Sequence, residues 1–320
     1  MELLRDPLPS ADLPRGGVVT IGNFDGVHRG HQVLIRGAVA RARELGVAAV
    51  VLTFHPHPEK VLRPDSGLRL LASPEQRAQL MARLGVDALV ELSFTRAFAA
   101  TSAEDFVKEV LVRRLAPLEV RLGANFRFGE GRRGDVSLLE AMGVELGFTV
   151  LGMQPVIDDG LPISSTRVRR AVLDGAVADA ARLLDRAHFI DGRVFTGERM
   201  GRRLGFPTLN IRPDNELLPA QGVYITAVQI PSFGRVFPSV TNIGVRPTVY
   251  ENYRETVETH VLDFNADVYS EALRLFFLAR LRDEMRFPSS VELSAQIRRD
   301  VEEARRFFVD HGIPPGLVLR

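Results

Sequence analysis

Two histidines three residues apart stand in Gly22-Asn23-Phe24-Asp25-Gly26-Val27-His28-Arg29-Gly30-His31. The apolar run Val18-Val19-Thr20-Ile21 precedes them and an amphipathic segment reaching about Leu45 follows, a pattern that predicts strand, glycine turn and helix start. At such a helix N-terminus, backbone N–H groups and the positive end of the dipole favour a phosphate chain. If the helix begins here, His28 and His31 project from one face and can donate hydrogen bonds to charge building on a phosphate under attack. The same rings could serve as surface or capping groups, but the glycines, the strand and the second imidazole point together to phosphate chemistry. A metal centre is the weaker rival, because there is no cysteine and no glutamate at metalloprotease spacing.

Other turns carry similar potential. Phe54-His55-Pro56-His57-Pro58 stiffens a backbone that holds one aromatic ring and two imidazoles, as a ligand contact or as a rigid loop. Gly123-Ala124-Asn125-Phe126-Arg127-Phe128-Gly129 continues to Asp135 with further glycines and arginines, suited to stacking on a planar ring near an anion, or to a solvated loop. In Ile163-Ser164-Ser165-Thr166-Arg167-Val168-Arg169, hydroxyls and arginines meet a helix start, where they can cap the helix or hold phosphate. A second glycine-arginine stretch runs from Gly197 through Gly201, Arg202 and Gly205 to Thr208 and Asn210, whose two oxygens one strand-step apart suit a hard cation such as Mg²⁺. Composition alone reads that stretch equally well as a basic hairpin. Lys60 and Lys108 are the only lysines, so there is no Walker A lysine, and phosphate handling falls to Arg, His, backbone amides and metal.

The elements that must position these residues divide the chain in two. Val18–Ile21, 47–53, 88–94, 118–122 and 148–153 read as strands separated by helical spacing, one helix being announced by the N-cap Ser73, Pro74 and Gln76. That alternation predicts an α/β unit with a parallel, Rossmann-like sheet and a ligand crevice at the carboxyl ends of its strands. From His188 onward, short runs bounded by Gly, Pro and Asn (189–194, 223–230, 235–242, 256–264 and 272–281) predict an antiparallel β-barrel, closed by a helix from Ser289 to about Phe308 with Val291, Leu293, Ile297, Val301 and Ala304 on its apolar face. The boundary is placed near Arg186, giving domains 1–186 and 187–320. Within the run around Glu258, Val257, Thr259 and Val261 share one strand face and Glu258 and His260 the other, where a carboxylate is by default solvated. With 41 basic against 40 acidic residues in 320, no strong field for nucleic acid exists, and no apolar run approaches the roughly 20 residues of a membrane span. The expectation is a soluble, cytoplasmic protein with no nucleic-acid or membrane partner and an undetermined oligomeric state.

The first stretch resembles the HxGH signature of the nucleotidyltransferase superfamily, and its longer form, with FHPHP, GANFRFG and ISSTRVR following in order, is similar to bacterial bifunctional riboflavin kinase/FAD synthetases. The resemblance implies that His28 and His31 act on the ATP phosphates, that Gly22, Asn23, Phe24 and Gly26 form their cradle, and that Ser164, Ser165, Thr166 and Arg169 hold the nucleotide from the opposite side. It implies a flavin near Phe54, His57, Asn125, Phe126, Arg127 and Phe128. Many relatives carry Asp at the Asn125 position, so a role needing a carboxylate there is absent from this chain. The stretch from Gly197 looks like the GxxxGRxLGFPTxN loop of riboflavin kinases, which implies Gly197, Gly201, Arg202 and Gly205 on the nucleotide and Thr208 and Asn210 on its metal, with Leu209 in place of the usual Ala. The matching glutamate of those kinases implies Glu258 as the base. The implied activities are phosphorylation of riboflavin to FMN by the barrel and adenylylation of FMN to FAD by the α/β domain, both with Mg²⁺ and ATP. Another HxGH nucleotidyltransferase fused to a non-catalytic barrel is the alternative.

Overall fold

Aliphatic runs without polar alternation suit strands covered on both faces, and the sheet of the first unit is built from them. The computed structural model describes residues 1–7, 13–195, 204–246, 254–313 and 317. In it, β1 (Glu2–Arg5), β2 (Val18–Ile21), β3 (Ala49–His55), β4 (Ala88–Ser93), β5 (Glu119–Gly123) and β6 (Thr149–Met153) form a six-stranded sheet in the order β1-β4-β3-β2-β5-β6. Every pairing is parallel. The five expected strands are present, and β1 adds an edge that its charged ends concealed. Strand order reverses between β2 and β5, so the loops leaving those two strands flank the crevice where α/β sheets take their ligands.

Helix α1 (Arg29–Leu45) packs on β2, β3 and β5 and ends at Gly46 in the left-handed conformation. The short α2 (Pro58–Leu62) follows β3. The capping box expected at Ser73 opens α3 (Pro74–Arg83), with the Gln76 N–H donating to Ser73 Oγ over 3.2 Å and Gln76 Oε1 accepting from the Ser73 N–H over 3.0 Å. Past two short turns, α4 (Arg96–Ala99) and α5 (Ala103–Asp105), the chain widens into a π-helix over Phe106–Leu115, whose Phe106, Val107, Val110 and Leu111 enter the core with Val19, Leu52, Val90 and Leu122. Helix α6 (Val136–Leu146) precedes β6, and a two-stranded hairpin, β7 (Ile157–Asp158) with β8 (Leu161–Pro162), leads into α7 (Ser165–Leu173).

The chain divides into two compact units, Met1–Ser165 and Thr166–Arg320. That division falls about a helix pair ahead of the compositional change near Arg186, because α8 (Val177–Leu184) belongs to the second unit's core: Val177 packs with Ile190, Tyr224 and Phe277. Six strands, β9 (His188–Phe195), β10 (Leu209–Pro213), β11 (Gly222–Ile230), β12 (Arg235–Arg246), β13 (Arg254–Val261) and β14 (Ala272–Arg282), close into an antiparallel barrel in the order β10-β13-β12-β11-β14-β9. Its interior is filled. Val257, Val261, Ile243, Ile211 and Val228 supply the apolar layers, and a chain of buried hydroxyls, Ser239 to Thr226 to Thr241 to Thr259 at 2.7–2.9 Å, satisfies the polar one. Helix α9 (Ser290–His311), capped by Ser289, lays Val301 and Ala304 over the outer-face residues Val223, Ile225 and Val240. Val291, expected on that apolar face, is 76% exposed and lies outside the apolar cluster that Ile297, Val301 and Ala304 join.

Candidate functional site

The turn between β2 and α1 is strained and tightly tied. Phe24 and Val27 are left-handed at φ 52° and 42°, unusual for an aromatic and a genuine outlier for a β-branched residue, and Gly26 lies at φ 78° where a Cβ would meet Leu71 Cδ1 at 2.8 Å. Three ties hold this shape. The buried Asp25 carboxylate accepts from the Leu71 N–H at 2.9 Å and the Ala72 N–H at 3.3 Å; the Asp25 carbonyl accepts from Ser165 Oγ at 2.8 Å; and Gln32 Nε2 donates to the Val27 carbonyl at 3.1 Å. The Phe24 ring is buried and lies 3.1 Å from where a Gly22 Cβ would stand.

His28 is the N-cap of α1: its Nδ1 accepts from the His31 backbone N–H at 3.3 Å. Because Nδ1 is an acceptor, the neutral ring carries its proton on Nε2, leaving that nitrogen as the donor. The His28 and His31 rings stack with centroids 3.5 Å apart and 18° between planes, with Phe24 edge-on to His31. Burial, and then the neighbouring His28, hold the His31 pKa well below the usual imidazole range, so His31 is neutral at physiological pH. Its Nδ1 is buried without a hydrogen-bond partner among the described residues. Capping and projection from one face, alternatives in the sequence, coexist here. Gly30 permits the stack: a Cβ there would press to 3.2 Å from His28 Cε1.

Across the switch point, the loop after β5 folds on itself through paired backbone bonds between Phe128 and Gly134, at 3.1 and 2.9 Å. Phe126 and Phe128 stack, Phe128 reaches Phe106, and Phe54 joins Phe94, Phe98 and Phe106. Phe54 and Phe128 are thereby buried in a continuous aromatic core, whereas Asn125 and Arg127 are exposed and Phe126 half-buried. Arg127 pairs with Asp135 at 2.6 Å; the Leu138 N–H, ahead of that guanidinium, holds the Asp135 carboxyl below its usual range. His57 caps α2, its Nδ1 accepting from the Glu59 N–H at 3.2 Å. Ser164 and Ser165 close the first unit, with Ser165 tied to the His28 turn as above; Thr166 and Arg169 continue along α7 beyond the division of the chain.

On the barrel, Gly205, Thr208, Asn210 and Glu258 are described, while Gly197, Gly201 and Arg202 lie outside the described residues. Alternation along β13 turns Val257, Thr259 and Val261 inward and Glu258 and His260 outward, as the sequence pattern requires. Glu258 is the direct cross-strand partner of Asn210 on one side and Asn242 on the other, which puts a carboxylate between two amides on the barrel's outer face. His260 Nδ1 lies 2.8 Å from the Pro207 carbonyl and fixes the approach to Thr208. Thr208, Leu209 and Asn210 also line a pocket with Phe195, Phe264 and Tyr269. Oxygen donors of this kind, and no clusters of His, Cys or acidic groups among the described residues, fit a hard cation better than a transition metal.

A family model described as FAD synthetase matches residues 10–167, and one described as riboflavin kinase matches residues 184–308. A relative from Escherichia coli K12, named bifunctional riboflavin kinase/FMN adenylyltransferase, is 39% identical over 96% of this chain and 98% of its own length. The chain belongs to that bifunctional family. A Pseudomonas fluorescens relative of the same name is 42% identical over 91% of this chain and 93% of its own. A crystal structure described as a macrolide-efflux protein from Streptococcus pneumoniae matches with a TM-score of 0.86 and 31% identity, covering 94% of this chain and 99% of that one. Among the described residues of this family member, no helix is long and apolar enough to cross a membrane.

Some residues around the turn carry no motif. Asp25 sits inside the signature but its partners, Leu71 and Ala72, are 46 and 47 residues away. Arg77 and Glu91, a buried pair, are likewise silent in sequence, because only the sheet brings them to Asn23.

Proposed function

We propose that residues 1–186 transfer AMP from ATP to FMN, forming FAD and releasing pyrophosphate, and that residues 187–320 phosphorylate riboflavin to FMN. Membership of the bifunctional family supports both activities. The observation that carries the first is the His28–His31 stack at the switch point of the sheet, where two imidazoles converge on a helix N-terminus. An FMN phosphate oxygen attacks the α-phosphorus of ATP and the bond to the β-phosphate oxygen breaks. The imidazoles donate to the phosphate oxygens that gain charge, within the cradle of Gly22, Asn23, Phe24 and Gly26. Ser164, Ser165, Thr166 and Arg169 hold the nucleotide; Asn125, Phe126 and Arg127 meet the flavin directly, while Phe54, His57 and Phe128 shape the wall behind them.

In the second unit, the riboflavin side-chain hydroxyl attacks the γ-phosphorus of ATP, its proton passing to Glu258 and ADP leaving. Gly197, Gly201, Arg202 and Gly205 line the nucleotide loop. Thr208 and Asn210 would hold Mg²⁺, which when bound neutralises phosphate charge. A cytoplasmic enzyme acting on small molecules is part of this reading, and the near-balance of 41 basic and 40 acidic residues supports small-molecule over nucleic-acid partners. Incubation of the full chain with riboflavin, ATP and Mg²⁺, followed by chromatography, should yield FMN and then FAD. His31→Ala should accumulate FMN, with FAD formation lowered about a hundredfold. A wild-type chain that makes neither product refutes the assignment.

A further inference from the structure

One guanidinium spans the two strand ends from which the adenylylation loops depart. Arg77, on α3, donates through Nη1 to the Asn23 carbonyl at 2.9 Å, with the Phe54 carbonyl at 3.5 Å from the same nitrogen, and through Nη2 to Glu91 Oε2 at 2.7 Å. Both side chains of the ion pair are less than a tenth exposed, and Glu91 Oε1 also takes Arg5 Nε at 3.3 Å. Asn23 opens the His28 turn and Phe54 opens the FHPHP loop, so a single planar group sets the spacing between them. The Asn23–Phe24 peptide is trans, so a carbonyl drawn toward Arg77 turns the Phe24 N–H to the opposite side, and the adjacent positive charge polarises that peptide. Arg77 Nε remains buried with no hydrogen-bond partner among the described residues, an arrangement that meets the demands of the two loops at the expense of the guanidinium's own hydrogen bonding. A buried ion pair is a weak source of stability compared with well-packed apolar residues, so its presence calls for another account.

We propose that Arg77, oriented by Glu91, is a positioning residue for adenylyl transfer: it fixes the Asn23–Phe24 peptide and the His28 turn in the geometry that receives the phosphates. This rests on the adenylyltransferase reading of the first unit, and FAD formation by the wild-type chain tests that reading separately.

The test uses the full chain, with FMN-to-FAD turnover, riboflavin-to-FMN turnover and thermal unfolding measured on each variant. Arg77→Met should lower kcat for FAD formation at least thirtyfold, leave FMN formation within twofold, and lower the unfolding midpoint because the buried Glu91 loses its buried partner and keeps only the longer contact to the exposed Arg5. Arg77→Lys, which keeps the charge without the fork, should recover only part of the turnover. The Arg77→Met/Glu91→Leu double variant removes both charges, and it should regain the midpoint without regaining kcat. If the double variant recovers stability and adenylylation together, or if Arg77→Met changes KM alone, Arg77 is structural and the proposal fails.

Discussion

Gly30→Ala separates stability from catalysis at one atom. The residue occupies the second position of α1, where exchanging Gly for Ala gains up to about 1 kcal/mol of helix stability, less near an N-terminus than in the interior. The added methyl would stand 3.2 Å from His28 Cε1 and 3.3 Å from His28 Nδ1, close enough that the ring must give by a few tenths of an ångström. Two contacts restrain that shift: His31 is stacked on the ring with centroids 3.5 Å apart, and the cap from the His31 N–H at 3.3 Å is already long. A ring displacement of this size costs about as much as the helix gains, so the unfolding midpoint should stay within about 2 °C of wild type. Catalysis has no such compensation, because donors misplaced by a fraction of an ångström lose transition-state bonding; FAD formation should fall ten- to a hundredfold. The assay pairs FMN-to-FAD turnover with a thermal melt and uses riboflavin phosphorylation as the internal control. Normal FAD turnover in a fully folded variant would refute the claim that the stacked geometry is what the reaction uses.

Glu258→Gln should depress riboflavin phosphorylation by about two orders of magnitude while adenylylation of supplied FMN continues; a loss seen only in flavin KM would make Glu258 a binding group. Because Val177 lies in the barrel core and a Cβ at Gly175 would collide with Tyr224 and Arg280, a fragment spanning 166–320 should fold and phosphorylate riboflavin, whereas 187–320 should melt markedly lower; equal melts would show α8 to be dispensable. His188 is buried against Phe277, and desolvation lowers its pKa from 6.5 to about 3, so the folded state resists a proton that the unfolded state takes up below pH 6.5. His188 should therefore contribute a loss of about 1.4 kcal/mol per pH unit from 6.5 down toward 3, alongside the buried His31, and His188→Phe should make that limb shallower in urea titrations of the second unit at pH 7 and pH 5; an unchanged slope would show that His188 does not contribute to it.

Much of the first unit is legible because its signals are local. The Ser73 capping box, the helix from Arg29 and the four-residue strand Val18–Ile21 are each specified by neighbours in sequence, and the HxGH turn inherits its place from them. Strand β1 escapes notice since Glu2-Leu3-Leu4-Arg5 has no pattern of its own and is strand only through β4. Strand β10 is similarly obscured by Pro207 and Pro213, which punctuate a segment that the barrel nevertheless recruits at its seam. At the sites, the motif residues are readable, but what holds them is not: Asp25 to Leu71, Arg77 to Asn23 and Asn242 to Glu258 are contacts made by the finished sheet and barrel, with no trace in spacing.

The alternation along β13 has a consequence for folding fidelity. Thr259 completes the hydroxyl chain inside the barrel, and its neighbour Glu258 faces outward between two asparagines. A slip of one residue in pairing would drive a carboxylate into an apolar interior and expose Val257 and Val261 at the same stroke. Misregistered barrels are thus rejected on energetic grounds before they can present a wrong surface to substrate. The strand proofreads its own alignment, and any chain that passes already has the outer carboxylate in place.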